Sequence, residues 1–246
     1  IDDMCEEIKE LANPRYIAFN NGIFDVETGE LQDFSPDIVI KNKIKWDYNP
    51  NAYSEIMDKT LNKLSVNDPE VRSLLEECIE YCFYRANPRN VAFFLTGTGS
   101  NGKSVFLDMI DNLLGKENSS SLSLHKLNDR FSTALLYGKL ANIGADISSK
   151  FIEGEAVATF KNLTSGDSIN AEYKNENSFK FKPYAKLLFS ANEMPKMKDA
   201  NFALQRRMKM IPFDATFSET DEDYDSNIGE KLNSEEAMEY LINIAI

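Results

Sequence analysis

Apolar residues recur along this chain with two periods, and residues 91–114 pass from one to the other. The run Val91-Ala92-Phe93-Phe94-Leu95 is continuous, short and rich in β-prone side chains, which predicts a buried strand. After a glycine-rich break, Val105, Phe106, Met109, Ile110 and Leu113 return at helical spacing, which predicts a helix opening at Lys103.

The same reading applied elsewhere predicts a helix-like start over residues 2–11 and short strands over 16–19, 22–26 and 30–34. The breaks between those strands are Asn20-Asn21-Gly22 and Thr28-Gly29. Helices are expected over 53–64 and, after the Asn67-Asp68-Pro69 start signal, over 70–85. Beyond the 91–114 unit come a Ser-rich linker at 119–123, an apolar strand over 140–145 and a helix over 155–163. A hairpin with arms 168–174 and 178–182 follows, then strands over 185–190 and 208–213. Strands alternating with helices predict an α/β fold with a central, mostly parallel sheet, and Asn87-Pro88 divides it from a small α+β domain over residues 1–86.

The 246 residues, 42% of them hydrophobic, suffice for one large core or two smaller ones. No apolar run reaches the ~20 residues of a membrane span. The chain opens on Ile1 and stops inside a helical apolar pattern, EAMEYLINIAI, which suggests a piece of a longer protein. Cys5, Cys78 and Cys82 are an odd number in a large chain and favour reduced thiols in an intracellular compartment such as the cytoplasm. Cys78 and Cys82, one helical turn apart, read as small buried residues, because one histidine, His125, and no second Cys pair leave no metal set.

A net charge of −13 argues against a nucleic-acid partner until its distribution is considered. Residues 161–213 hold ten Lys or Arg against five acids, whereas residues 214–246 hold one Lys against ten acids. Positive charge is therefore concentrated in one internal segment.

The glycine-rich break carries chemistry. Gly97-Thr98-Gly99-Ser100-Asn101-Gly102-Lys103-Ser104 fits G-x-x-x-x-G-K-[ST], a loop whose glycines let backbone N–H groups converge on phosphates at a helix N-terminus, continued by Val105. Lys103 is expected to reach the β- and γ-phosphates of ATP and Ser104 to hold Mg²⁺. Asp146, after the 140–145 strand, sits where a carboxylate reaches the same metal, and Asn192, after the 185–190 strand, where an amide orients a water. In the hairpin, Phe179-Lys180-Phe181-Lys182 alternates, so the aromatic face can anchor while Lys174, Lys180 and Lys182 meet a phosphate backbone. Tyr173 and Phe179 are the candidates for base stacking, and Arg206 or Arg207 is suited to act as an arginine finger on a neighbour's nucleotide.

The order GTGSNGKS, KLANIGADIS, FKNLTSGDSINAEYKNENSFKF, LLFSANEMP and QRRMKMIPF resembles a superfamily 3 helicase, a branch of the AAA+ ATPases. It is most similar to the helicase part of phage and mobile-element primase-helicases, related to the poxvirus primase-helicase. NPRYIAFNNGIFDVETGEL resembles the small domain that precedes the helicase in that group. The resemblance implies an AAA+-like P-loop domain over residues 87–246. It further implies ATP and Mg²⁺ as cofactors and a homo-oligomer, a hexamer, gripping single-stranded DNA in its channel. Neighbouring primase or replication domains would complete the protein. Lys161, together with Lys174, Lys180 and Lys182, would belong to the DNA-gripping motif. The chain departs from the family at Ala145, where a second acid commonly precedes Asp146. Either Asp146 with Asn192 then suffices, or another acid such as Glu153 or Glu155 substitutes, or hydrolysis is slow or altered; the alternative function is a nucleotide-switched DNA-binding scaffold or loader.

Overall fold

A computed structural model of the chain describes residues 13–144, 155–192, 202–221 and 224–246. The helix-like stretch expected at 2–11, Ala145 and Asp146 lie outside the described residues.

Five parallel strands form the central sheet: β4 (Ala92–Thr96), β5 (Ser119–Ser120), β6 (Ala141–Gly144), β9 (Lys186–Ala191) and β10 (Met208–Pro212), in the spatial order β10-β4-β9-β6-β5. Period-2 alternation on β4 sends Phe93 and Leu95 to one face and Ala92 and Phe94 to the other, so both faces demand cover. On the first face lie α3 (Lys103–Leu114), through Phe106 and Ile110, and a helical layer of α1 (Glu55–Leu64), α2 (Pro69–Phe83) and α7 (Glu235–Ala245). Phe94 and Phe189 face α4 (Glu155–Ser165), where Phe160 meets them within the second core. Each fully buried Phe or Leu contributes about 1.5–3 kcal/mol of transfer free energy.

The helix starts have local causes. The Ser54 hydroxyl accepts from Met57 N–H, the Asp68 carboxylate from Glu70 and Val71 N–H ahead of Pro69, and the Ser234 hydroxyl from Ala237 N–H. Cys78 and Cys82 are buried on α2, as their spacing suggested.

The N-terminal sheet, β1 (Tyr16–Phe19), β2 (Gly22–Asp25) and β3 (Glu30–Gln32), is antiparallel. Its Ile17, Phe19 and Phe24 belong to the same apolar cluster as α2, α3 and α7, so one core runs across residue 86. The expected Ser-rich linker instead supplies β5. The Asn142 side chain pins it there, accepting from Ser120 Oγ at 2.9 Å and Leu122 N–H at 2.8 Å and donating to Leu122 O at 2.9 Å.

Lys186 opens β9 at 1% exposure, an apolar strand's one cation. Its ammonium donates to Tyr84 O at 2.5 Å and Tyr184 O at 2.7 Å and lies over the Tyr81 ring, tying the end of α2 to the sheet. Burial drives its pKa down from 10.5 to about 7. The unfolded chain then holds the extra proton between about pH 7 and 10.5, so this lysine makes stability rise with pH in that window, by up to about 1.4 kcal/mol per unit. Urea denaturation between neutral and mildly alkaline pH is expected to show that slope, and Lys186→Met to flatten it.

Candidate functional site

The site forms where strand order reverses. The chain leaves β4, passes to the far edge at β5, returns through β6 to β9 beside β4, and finishes with β10 on β4's other side. Such a switch point opens a crevice at the strands' carboxyl ends. The pairing Thr96↔Ala191 brings the ends of β4 and β9 level, so Gly97 and Asn192 leave the sheet side by side.

The backbone of the loop is unusual in the way an anion cradle requires. Gly99 and Gly102 have φ of 113° and 83°, and Ser100 also lies in the left-handed region at 47°. At Gly97 a Cβ would stand 2.4 Å from Phe213 O, and at Gly102 it would stand 2.2 Å from Leu64 Cδ2. Gly102 is the N-cap of α3 and supplies no side-chain cap, so the helix's first N–H groups are left for a ligand. Segments distant in sequence brace the loop: Asn101 Nδ2 donates to Phe213 O at 3.1 Å, Phe213 N–H to Thr96 O at 2.7 Å, and Phe217 N–H to Ser100 O at 2.9 Å. The roles of Leu64, Phe213 and Phe217 had no signal in sequence, because each depends on a contact made only by the fold.

Lys103 is 5% exposed. Its ammonium donates to Gly97 O at 2.7 Å, Asn101 Oδ1 at 3.0 Å and Asn192 Oδ1 at 3.4 Å. Thr98, Gly99, Ser100 and Ser104 are exposed around it, with Val105 half-buried behind. The loop therefore brings together Lys103, Ser104 and Asn192. Ser104 is exposed in the first turn of α3, and Asp146, its expected partner, lies outside the described residues. Uncapped N–H groups, left-handed turns and a desolvated ammonium fit a polyphosphate.

The two arginines part company. Arg207 is half-buried, with Nη2 3.4 Å from Ser165 Oγ at the end of α4, whereas Arg206 is exposed. Arg206 lines a groove of about 740 Å³ beside the edge strand β10, with Lys209, Arg89, Glu77 and Glu80. This groove is separate from the phosphate loop.

The hairpin consists of β7 (Ile169–Ala171) and β8 (Phe179–Phe181), paired antiparallel. Phe179 and Phe181 stack at 5.8 Å, Tyr137 meets both edge-on at 5.3 Å, and Tyr173 stacks on Phe179 at 5.4 Å. The hairpin is thus anchored by its aromatic face, and Tyr173 and Phe179 spend their rings on each other. Lys174, Lys180 and Lys182 are exposed. Lys161 is half-buried on α4, away from the hairpin's own strands.

Residues 2–80 match the family described as "D5 N terminal like", and residues 95–207 match a "Family of unknown function (DUF5906)". "Putative helicase 121R" of Invertebrate iridescent virus 3 is 32% identical over 83% of this chain and 23% of its own length. "Putative helicase L207/L206" of Acanthamoeba polyphaga mimivirus is 27% identical over 83% of this chain and 22% of its own. The apo structure of the NrS-1 C-terminal region superposes with a TM-score of 0.63 at 17% identity, covering 95% of this chain and 53% of that one. The chain is thus similar to viral proteins named as putative helicases and shares its fold with the NrS-1 C-terminal region. It spans about a quarter of the length of the curated relatives. The five-stranded parallel sheet with flanking helices, beside a small N-terminal sheet, is the α/β fold that the sequence predicted. Among the described residues, no helix is long and apolar enough to cross a membrane.

Proposed function

We propose that this chain is the ATP-driven motor segment of a primase-helicase of superfamily 3 type, acting on single-stranded DNA. The observation that carries the proposal is the Lys103 ammonium, buried at the sheet's switch point between the phosphate loop and Asn192. Residues 97–105 would cradle the phosphates of ATP, with Lys103 on the β- and γ-phosphates and Ser104 and Asp146 holding Mg²⁺. Bound Mg²⁺ would neutralise charge on the transferred phosphoryl group. Asn192, within reach of Lys103, would hold the attacking water.

Exposed Arg206 is better placed than Arg207 to reach a second copy's nucleotide, and a finger supplied in trans makes hydrolysis depend on assembly into a homo-oligomer, a hexamer in our reading. The small domain, residues 1–86, would serve as an accessory layer, and primase or other replication domains would lie elsewhere in the full protein. A soluble place of work in the host cytoplasm fits this role.

Lys174, Lys180 and Lys182 would meet the DNA backbone, with Lys161 supporting the hairpin from α4. Affinity for single-stranded DNA is then expected to fall with salt at a log–log slope of roughly −2 to −4, from three to six neutralised phosphates per ring. Anisotropy titration of a Lys174→Ala, Lys180→Ala, Lys182→Ala variant should show weak binding with a shallower slope. Unchanged affinity would remove the hairpin from the DNA path.

A further inference from the structure

Three lysines stand at alternate positions in Lys41-Asn42-Lys43-Ile44-Lys45, which runs along the free edge of β1. Ile44 N–H donates to Ala18 O at 2.8 Å, Asn20 N–H donates to Trp46 O at 2.9 Å, and Lys43 bridges Ala18 in parallel register. The extended path buries Asn42 and Ile44 and leaves Lys41, Lys43 and Lys45 exposed.

Each ammonium lies over an aromatic ring. Lys41 is 5.3 Å from the Tyr137 centroid, Lys43 is 5.0 Å from Phe34 and Lys45 is 4.5 Å from Trp46. Their other contacts are neutral: Lys41 Nζ reaches Tyr137 Oη at 3.3 Å, and Lys45 Nζ donates to Asn112 Oδ1 at 2.9 Å. Among the described residues, no carboxylate forms a salt bridge with any of the three. Phe34 and Tyr137 are 53% and 44% exposed.

Although the chain carries a net charge of −13, no carboxylate among the described residues pairs with any of these three cations. A solvated surface row gives no reason for each cation to be matched with a ring. An anionic polymer does. Alternate side chains on an extended strand lie about 7 Å apart, on the scale of successive phosphates in an unwound strand. A phosphate arriving here breaks no ion pair, and an ammonium that turns to it uncovers a ring on which a base can stack.

We propose that Lys41, Lys43 and Lys45, with Phe34, Trp46 and Tyr137, form a second track for single-stranded nucleic acid. The track abuts the hairpin's aromatic face, because Tyr137 packs edge-on against both Phe179 and Phe181. Its contacts stand on their own, but its role as an approach to the motor rests on the hairpin reading above. The rings favour nucleic acid over an acidic polypeptide, which offers charge without bases.

The test is fluorescence anisotropy of the full chain with short and long labelled oligothymidylates over a range of salt. One variant carries Lys41→Gln, Lys43→Gln and Lys45→Gln, another Lys180→Gln and Lys182→Gln, and thermal melts confirm that both fold. The first variant is expected to bind the long oligonucleotide about 10-fold more weakly at moderate salt, with the log–log slope reduced by about 2. Phe34→Ala is expected to weaken binding without changing the slope. If the first variant matches wild type while the hairpin variant loses binding, the track is wrong and the hairpin reading stands. If wild type binds no oligonucleotide, both fail. Displacement by poly-glutamate as effective as by unlabelled oligonucleotide would overturn the assignment to nucleic acid.

Discussion

Lys103→Ala is expected to lower ATP turnover by at least about 100-fold, the usual effect of removing a donor that meets charge developing in a transition state. The ammonium is already stripped of water and held by Gly97 O, Asn101 Oδ1 and Asn192 Oδ1. A γ-phosphate entering the crevice therefore meets a cation already held in place, with little reorganisation. The substitution leaves those oxygens beside an exposed loop, where water can satisfy them, so the fold should survive. Lys103→Arg should fare little better, because a planar fork does not fit acceptors arranged around a point charge. Turnover assays and a far-UV melt check both halves. Full turnover in a folded Lys103→Ala protein would take the phosphate loop out of the chemistry.

Arg206→Ala is expected to cost about 1,000-fold or more in turnover of the assembled protein, the scale of an arginine finger. Arg207→Ala should behave differently. Its guanidinium packs toward Ser165 at the end of α4, so its loss should lower the melting temperature more than the rate per folded molecule. Mixing separates a finger from any other surface role. A Lys103→Ala subunit still presents Arg206 to its neighbour, so adding it to inactive Arg206→Ala protein should restore part of the turnover. No recovery, or equal effects of the two arginine substitutions, would contradict action in trans.

The strand–loop–helix unit was legible because its causes are local. A β-prone run, three glycines and helical spacing all lie within residues 91–114 and need no other part of the chain. The hairpin was legible for the same reason, its alternation matching the buried Phe181 and exposed Lys180. What sequence missed depends on partners far along the chain. Ser119–Ser120 read as a linker until Asn142, on the neighbouring strand, supplied the hydrogen bonds that hold it in the sheet. Arg206 and Arg207 were interchangeable until Ser165 claimed one of them. The lysine row at 41–45 went unread although its alternation is plain, because its meaning lies in Phe34 and Tyr137, which neither adjoin it nor share its element. Ile17, Phe19 and Phe24 share an apolar cluster with residues of α3 and α7 beyond Asn87-Pro88, a contact that depends on the fold and not on local sequence.

The central claim is that ATP is hydrolysed between copies of this chain under the control of single-stranded DNA. Steady-state hydrolysis with Mg²⁺, measured across protein concentrations with and without single-stranded DNA and with Lys103→Ala as the blank, tests it most directly. The account predicts turnover per subunit that rises cooperatively with concentration and rises further with DNA. Turnover per subunit that is independent of concentration and indifferent to DNA would contradict it.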